Sequence, residues 1–189
     1  RLPTGFDFVE VPVEIGVAIG AVSRGLELAK AVVRWMNEIR NIVTGISVLV
    51  LLDLGGPVLP GIFSFITRIL QYVGMEVVNN DILRHYEWGS DVADIVRSLA
   101  IESDAVIVEV SSIEATLEKA LDLIGALGID FVKPLVVVPV LGLSDFGPQI
   151  IWKARVVAEA TRKAVAERSS VVLRVEDMRR KPIFSIDAV

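Results

Sequence analysis

No cysteine occurs in the sequence, which excludes disulfides, thiolate-held metals and cysteine nucleophiles together. A single histidine, His85, excludes multi-histidine metal sites. Asn and Gln are scarce at four and two residues, while Val, Ile, Glu and Arg abound, a bias towards a thermophilic source. Excess positive charge is lacking too. A formal charge of -5 leaves no broad basic face to neutralise phosphates, so nucleic acid is not an expected partner.

Several catalytic signatures are also missing. The turn at 52–63, LDLGGPVLPGIF, has no Lys, Ser or Thr where a P-loop needs them. There is no G-x-S-x-G elbow, no C-x-x-C and no H-E-x-x-H. In GVAIGAVSRG, residues 16–25, the glycines Gly16, Gly20 and Gly25 are wrongly spaced for G-x-G-x-x-G.

Charge is thin over residues 41–67, where Asp53 stands alone among acids and bases until Arg68. Asp53, Gly55, Gly56, Pro57 and Pro60 divide this run into pieces of 12 and 14 residues, each below the roughly 18 or more of a spanning helix. No membrane span is expected. No basic segment precedes an apolar stretch at the start, so a signal peptide is not expected and the location expected is cytoplasmic. The chain opens at Arg1 rather than Met.

What is plentiful is apolar surface. At 53% the apolar fraction exceeds the usual 45–50% or so of soluble domains, and the surplus points to a homo-oligomer. At 189 residues one domain is expected over 1–189: a strand–helix extension at 1–44, a core at 45–176 and a C-terminal hairpin strand at 177–189.

Periodicity supplies the elements. FDFVEVPV, residues 6–13, reads as a short strand, and 17–40 as a long amphipathic helix whose glycines allow close packing. ISVLVLL, 46–52, is the continuous apolar run of a strand covered on both faces. Helix 61–73 follows, apolar nearly all round and ended by Gly74; Phe63, Phe65, Ile66, Ile69 and Tyr72 on it make the candidate subunit interface. Strands at 75–79, 104–110, 134–141 and 171–175 alternate with helices at 91–101, 113–127 and 149–167. Such a series predicts a flavodoxin-like, three-layer α/β sandwich with a mostly parallel sheet of core order 2-1-3-4-5.

In open parallel sheets ligands bind beyond the carboxyl ends of the strands, where the strand order reverses. That rule gathers Asp53, Gly55 and Gly56 after the first core strand, and Glu109, Ser111 and Ser112 after the third. Neighbouring loops add Asn79, Asn80, Asp81, Arg84, His85, Ser144 and Asp145. Asp53 fits a turn or cap residue, or a ribose or metal contact. Glu109 interrupts VIVEV near a strand end, which suits either a structural partner or a functional carboxylate. Ser111 and Glu114 have capping-box spacing, and the same helix start suits an anion.

Residues 46–142 resemble the cobalamin-binding domain of corrinoid mutases and methyltransferases in YVGMEVVNND, DVADIVRSLAIESDAVIVEVSS and ALDLIGALGIDFVKPLVVVPVLG. The D-x-H-x-x-G motif of that family falls on GPVLPG, residues 56–61, where Gly61 matches, Gly56 replaces the Asp and Val58 replaces the His. The resemblance therefore implies a degenerate member without the cobalt ligand. SDAVIVEVSS followed by Glu118 and KPLVVV also resembles the nucleoside deoxyribosyltransferase and TIR-like group. That likeness implies an N-glycosidic-bond hydrolase or transferase, with Glu118 or Glu114 as the catalytic carboxylate.

Three readings stay open. The first is a homo-oligomer binding a small anionic ligand, a nucleotide or phosphorylated metabolite, with its cofactor undefined. The second is the glycosidic enzyme. The third is a structural or assembly subunit with a degenerate site.

Overall fold

The computed structural model describes residues 7–82, 86–87, 92–128, 133–143 and 150–179. Arg84, His85, Ser144, Asp145 and residues 180–189 of the expected C-terminal strand lie outside them, while Asp177 and Met178, expected in that strand, are helical. Helices α1 (Asp7–Ala18) and α2 (Val22–Val43) come first, then strands β1 (Ser47–Asp53) and β2 (Pro57–Pro60) and helix α3 (Phe65–Tyr72). Strand β3 (Glu76–Val77), a 3-10 turn at Val78–Asp81 and strand β4 (Tyr86–Glu87) follow. The remainder alternates: α4 (Val92–Glu102), β5 (Ala105–Glu109), α5 (Leu117–Gly125), β6 (Leu135–Val138), α6 (Ile150–Glu167), β7 (Val171–Val172) and α7 (Val175–Met178).

The sheet runs β4-β2-β1-β5-β6-β7, with β3 paired to β1 off this path. β1 pairs parallel to β5 over Val48–Leu52, β5 to β6, and β6 to β7. β3 pairs parallel to the start of β1 through Ser47↔Glu76 and Val48↔Val77. The expected mixed α/β architecture with a mostly parallel sheet is present. What differs is the edge beside β1, which is shared between β3 at one end and the antiparallel strand β2 at the other, paired Leu52↔Val58 and Asp53↔Pro57.

Successive residues of β1 point to opposite faces, and each face has its own core. Val48, Val50 and Leu52 pack with α2, α3 and α6; Leu49 and Leu51 pack with α4 and α5. This gives three layers, and every residue from Val48 to Leu52 is 3% exposed or less.

The N-terminus departs from expectation. The period-2 pattern of FDFVEVPV reads as a strand, yet residues 7–13 lie in helix α1 with Pro12 inside it. Close packing overrides local preference here. A Cβ on Gly25 would lie 2.4 Å from the Pro12 carbonyl oxygen and 3.2 Å from Gly16 Cα. Two helices approach this closely only where side chains are absent. Val11, Ile15 and Val17 on the rest of α1, and Ile19 just after it, are exposed.

Helix α3 is used differently from the interface read in its sequence. Phe65, Ile66 and Ile69 are buried in the core against the sheet, so they offer nothing to a second subunit. Tyr72 packs half-buried against the same core, while Phe63 is 45% exposed with the Arg68 guanidinium 5.8 Å from its ring centroid. Ser64 caps the helix, its Oγ accepting from Thr67 N–H at 3.1 Å. Gly74 closes the other end at φ +100°, a left-handed conformation suited to glycine, with Met75 N–H donating to Leu70 O.

Candidate functional site at the carboxyl edge of the sheet

Three loops leave the carboxyl ends of β1, β5 and β6, and hydrogen bonds tie them to one another. Asp53 is the first tie. Its Oδ1 accepts from Gly55 N–H at 3.1 Å and Gly56 N–H at 3.2 Å, which closes the turn into β2. Its Oδ2 accepts from Ser111 N–H at 3.2 Å and from the Ser111 hydroxyl, which joins that turn to the loop after β5. Gly55 stands at φ +85°, where a side chain would strain the turn.

Burial raises the Asp53 pKa, but the Ser111 hydroxyl and the N–H groups of Ser111, Gly55 and Gly56 outweigh it and hold the carboxyl below its ordinary value. A carboxyl depressed on folding stabilises the native state above its unfolded pKa, and that contribution disappears as pH falls through the folded value. We therefore expect the melting temperature of the native chain to fall on acidification below about pH 3.8, with a shallower fall in Asp53→Asn. Circular dichroism melts of both proteins across that range check this; equal slopes would exclude Asp53 as the titrating clamp.

The second tie joins the loops after β5 and β6: Val140 N–H donates to Ser112 O at 3.0 Å. Two buried charged side chains then shape the loop after β6. Glu109, 5% exposed, accepts from Leu143 N–H at 2.6 Å, and Lys153 of α6, 8% exposed, donates to Leu141 O at 2.6 Å. Glu109 thus acts as a loop anchor. Between these anchors Leu141 adopts φ +61° with its side chain 59% exposed. A non-glycine residue in that region costs on the order of 1 kcal/mol or more, and such outliers persist only when their surroundings hold them.

Lys119 supplies an exposed cation at this edge. Its ammonium donates to Ser112 Oγ at 2.7 Å and to Glu114 O at 2.8 Å. Helix α5 begins at Leu117 and is capped by Thr116, whose hydroxyl accepts from Lys119 N–H at 3.3 Å. The Ser111–Glu114 capping box read from the sequence is therefore not the helix start, because Ser111 is engaged by Asp53. Glu114 and Glu118 are exposed.

Asn79, grouped with the site from sequence, serves the sheet instead. Fully buried, it accepts from Val50 N–H and donates to Val50 O and Pro60 O, each at 2.9 Å. It fills the gap where β3 stops and β2 has turned away. Asn80 and Asp81 lie in the same 3-10 turn.

Sequence reasoning missed Lys119, Lys153 and Leu141. Lys153 left a signal: it is a lone cation beside Ile150, Ile151, Ala154 and Val157, on the buried side of α6. Leu141 left none, since a leucine at positive φ looks like any other in LGL. Among the described residues no group of three His, Asp or Glu is placed to hold a metal ion. A shallow groove of about 550 Å³ along α2, lined by Leu26, Lys30, Val33 and Arg34 among others, shares no residue with the edge. Among the described residues no helix is long and apolar enough to cross a membrane.

No protein-family model and no curated protein matches the sequence. Solved structures do. The apo periplasmic heme-binding protein RhuT of Roseiflexus sp. RS-1 aligns with 86% of this chain and 65% of its own at 18% identity and TM-score 0.58. A periplasmic heme binding protein of Pseudomonas aeruginosa aligns with 86% of this chain and 61% of its own, at 16% identity and TM-score 0.59. An ABC-type Fe3+-hydroxamate transport system structure from Saccharomonospora viridis aligns with 84% and 56%, at 16% identity and TM-score 0.56. The chain spans 56–65% of the length of these structures, and at such identities the likeness is one of fold.

These structures correct two expectations. The fold is shared with periplasmic heme-binding proteins and with a structure of an ABC-type Fe3+-hydroxamate transport system, which overturns the corrinoid and deoxyribosyltransferase resemblances. A physical reason accompanies the first. GPVLPG is not a ligand loop here: Val58 is 0% exposed within β2, paired with Leu52. The cytoplasmic location is overturned as well, because two of the structures are periplasmic proteins by name.

Proposed function

We propose that this chain is a ligand-binding part of an extracytoplasmic substrate-binding protein of an ABC-type uptake system, holding a heme-like or ferric-hydroxamate-like ligand at the carboxyl edge of its sheet. The observation that carries the reading is the lashing of three loops. Asp53 joins the β1 turn to the β5 loop, Ser112 joins the β5 loop to the β6 loop, and buried Glu109 and Lys153 hold the last in place. Loops bound to one another in this way form a preorganised surface, which lowers the ordering cost of binding. Solved proteins of the same fold bind heme or belong to ferric hydroxamate transport. A nucleotide ligand has no such support.

Binding to the native state raises stability by RT ln(1 + [L]/Kd), about 2.7 kcal/mol at a hundredfold excess over Kd. Thermal melts with haemin and with a ferric trihydroxamate should show a saturable upward shift for at least one of them. Hydrogen exchange should then slow in loops 53–57, 111–116 and 139–143. No saturable shift with either, or protection confined to the α2 groove, would overturn the reading.

A further inference from the structure

The lashed loops also constrain the shape of their ligand, provided that the carboxyl edge is the binding site as proposed. Leu54, Ile113 and Leu141 each project from one of the three loops, and they are 53%, 69% and 59% exposed. The loops that carry them are joined by hydrogen bonds. Leu54 follows Asp53, which is bonded to Ser111; Ile113 follows Ser112, which is bonded to Val140; Leu141 comes next. Three large exposed aliphatic residues thus stand as a rim on one lashed set of loops, with the Lys119 ammonium fixed on Ser112 and Glu114 of the same loops.

The rim is held in place rather than left over. The Leu141 backbone would be less strained at negative φ, yet Lys153 and Glu109 hold the loop at φ +61° with that residue exposed. Two buried charged residues maintaining a strained, exposed leucine point to a use for it. Exposed aliphatic residues with the exposed Lys119 beside them complement a ligand that is flat and apolar with an acidic group at its periphery. A ferric hydroxamate presents amide and hydroxamate oxygens instead, and would leave the leucines without apolar partners.

We infer that the edge takes a planar, apolar macrocycle bearing carboxylates, a porphyrin, with Leu54, Ile113 and Leu141 against the ring and Lys119 on a carboxylate. Recognition then depends on ring and periphery, so a metal-free porphyrin is a suitable probe.

The test uses the whole chain with protoporphyrin IX, its dimethyl ester and a ferric trihydroxamate, monitored by visible absorbance and tryptophan quenching. The diacid should bind saturably, and the ester about three- to fivefold more weakly, the scale of an exposed charge pair. Lys119→Met should bring the diacid down to the level of the ester while leaving the ester unchanged. Leu141→Asn, which tolerates the left-handed backbone, should weaken both ligands about tenfold with an unchanged melting temperature.

Trihydroxamate binding without porphyrin binding would overturn this inference and leave the edge as the site. Binding of neither would overturn both. Porphyrin affinity indifferent to both substitutions would place the ligand elsewhere on the molecule and overturn the inference as well.

Discussion

Replacing Asn79 by Leu lowers stability by about 3–5 kcal/mol, the largest effect we expect of any single substitution. Its amide is the partner of Val50 N–H, Val50 O and Pro60 O. Removing it strands the two Val50 groups in a fully buried strand, at roughly 1–3 kcal/mol each. Pro60 O keeps a weak contact from the Thr67 hydroxyl at 3.4 Å, so its loss is partial. For a chain of this size the melting temperature falls by about 10 °C or more.

A second variant identifies the cause. Asn79→Asp keeps the acceptor for Val50 N–H but turns a carboxylate oxygen towards two carbonyls. Protonation restores a donor there, so Asn79→Asp should recover part of its deficit as pH falls from 7 towards 5, whereas Asn79→Leu should not. Chemical denaturation at both pH values measures this. Equal deficits for the two variants at both values would show that volume, not hydrogen bonding, decides the position.

Gly25→Leu is the second large effect, and its signature is local. Any Cβ there meets the Pro12 carbonyl oxygen at 2.4 Å, and that oxygen belongs to a backbone that cannot swing aside. Helix propensity favours the substitution by up to about 1 kcal/mol, and overpacking opposes it by about 1–3 kcal/mol or more. Repulsion wins, so α1 separates from α2. Amides of residues 10–18 should then exchange freely and proteolysis should cut within α1, while β1, β5 and β6 stay protected. Retained protection in α1 would mean that the pair adjusts by sliding.

How far the sequence reveals this molecule depends on the range of the forces involved. β1, β5, β6 and α6 were legible because burial on a fixed face writes itself into a repeating apolar pattern. α1 was not, since the alternation in FDFVEVPV satisfies a strand equally well and only contact with Gly25 decides otherwise. β2 was hidden by its four residues and by a proline at each end, which read as turn. At the edge, the rule for parallel sheets selected Asp53, Glu109, Ser111 and Ser112. It could not say that four donors already occupy Asp53, or that Glu109 faces a backbone N–H 34 residues further along. Such pairings depend on loop paths that leave no local trace.

The long second helix has a mechanical consequence. α2 has 22 residues, roughly 33 Å of rod. Its C-terminal half is embedded through Val32, Met36, Ile39 and Val43, and its N-terminal half carries α1 on Gly25. A push on α1 therefore meets, at Gly25, a helix that is continuous from Val22 to Val43. It tilts the rod about its embedded end and reaches the α3 and α6 layer as torque, so that a load applied outside the sandwich would be felt within it.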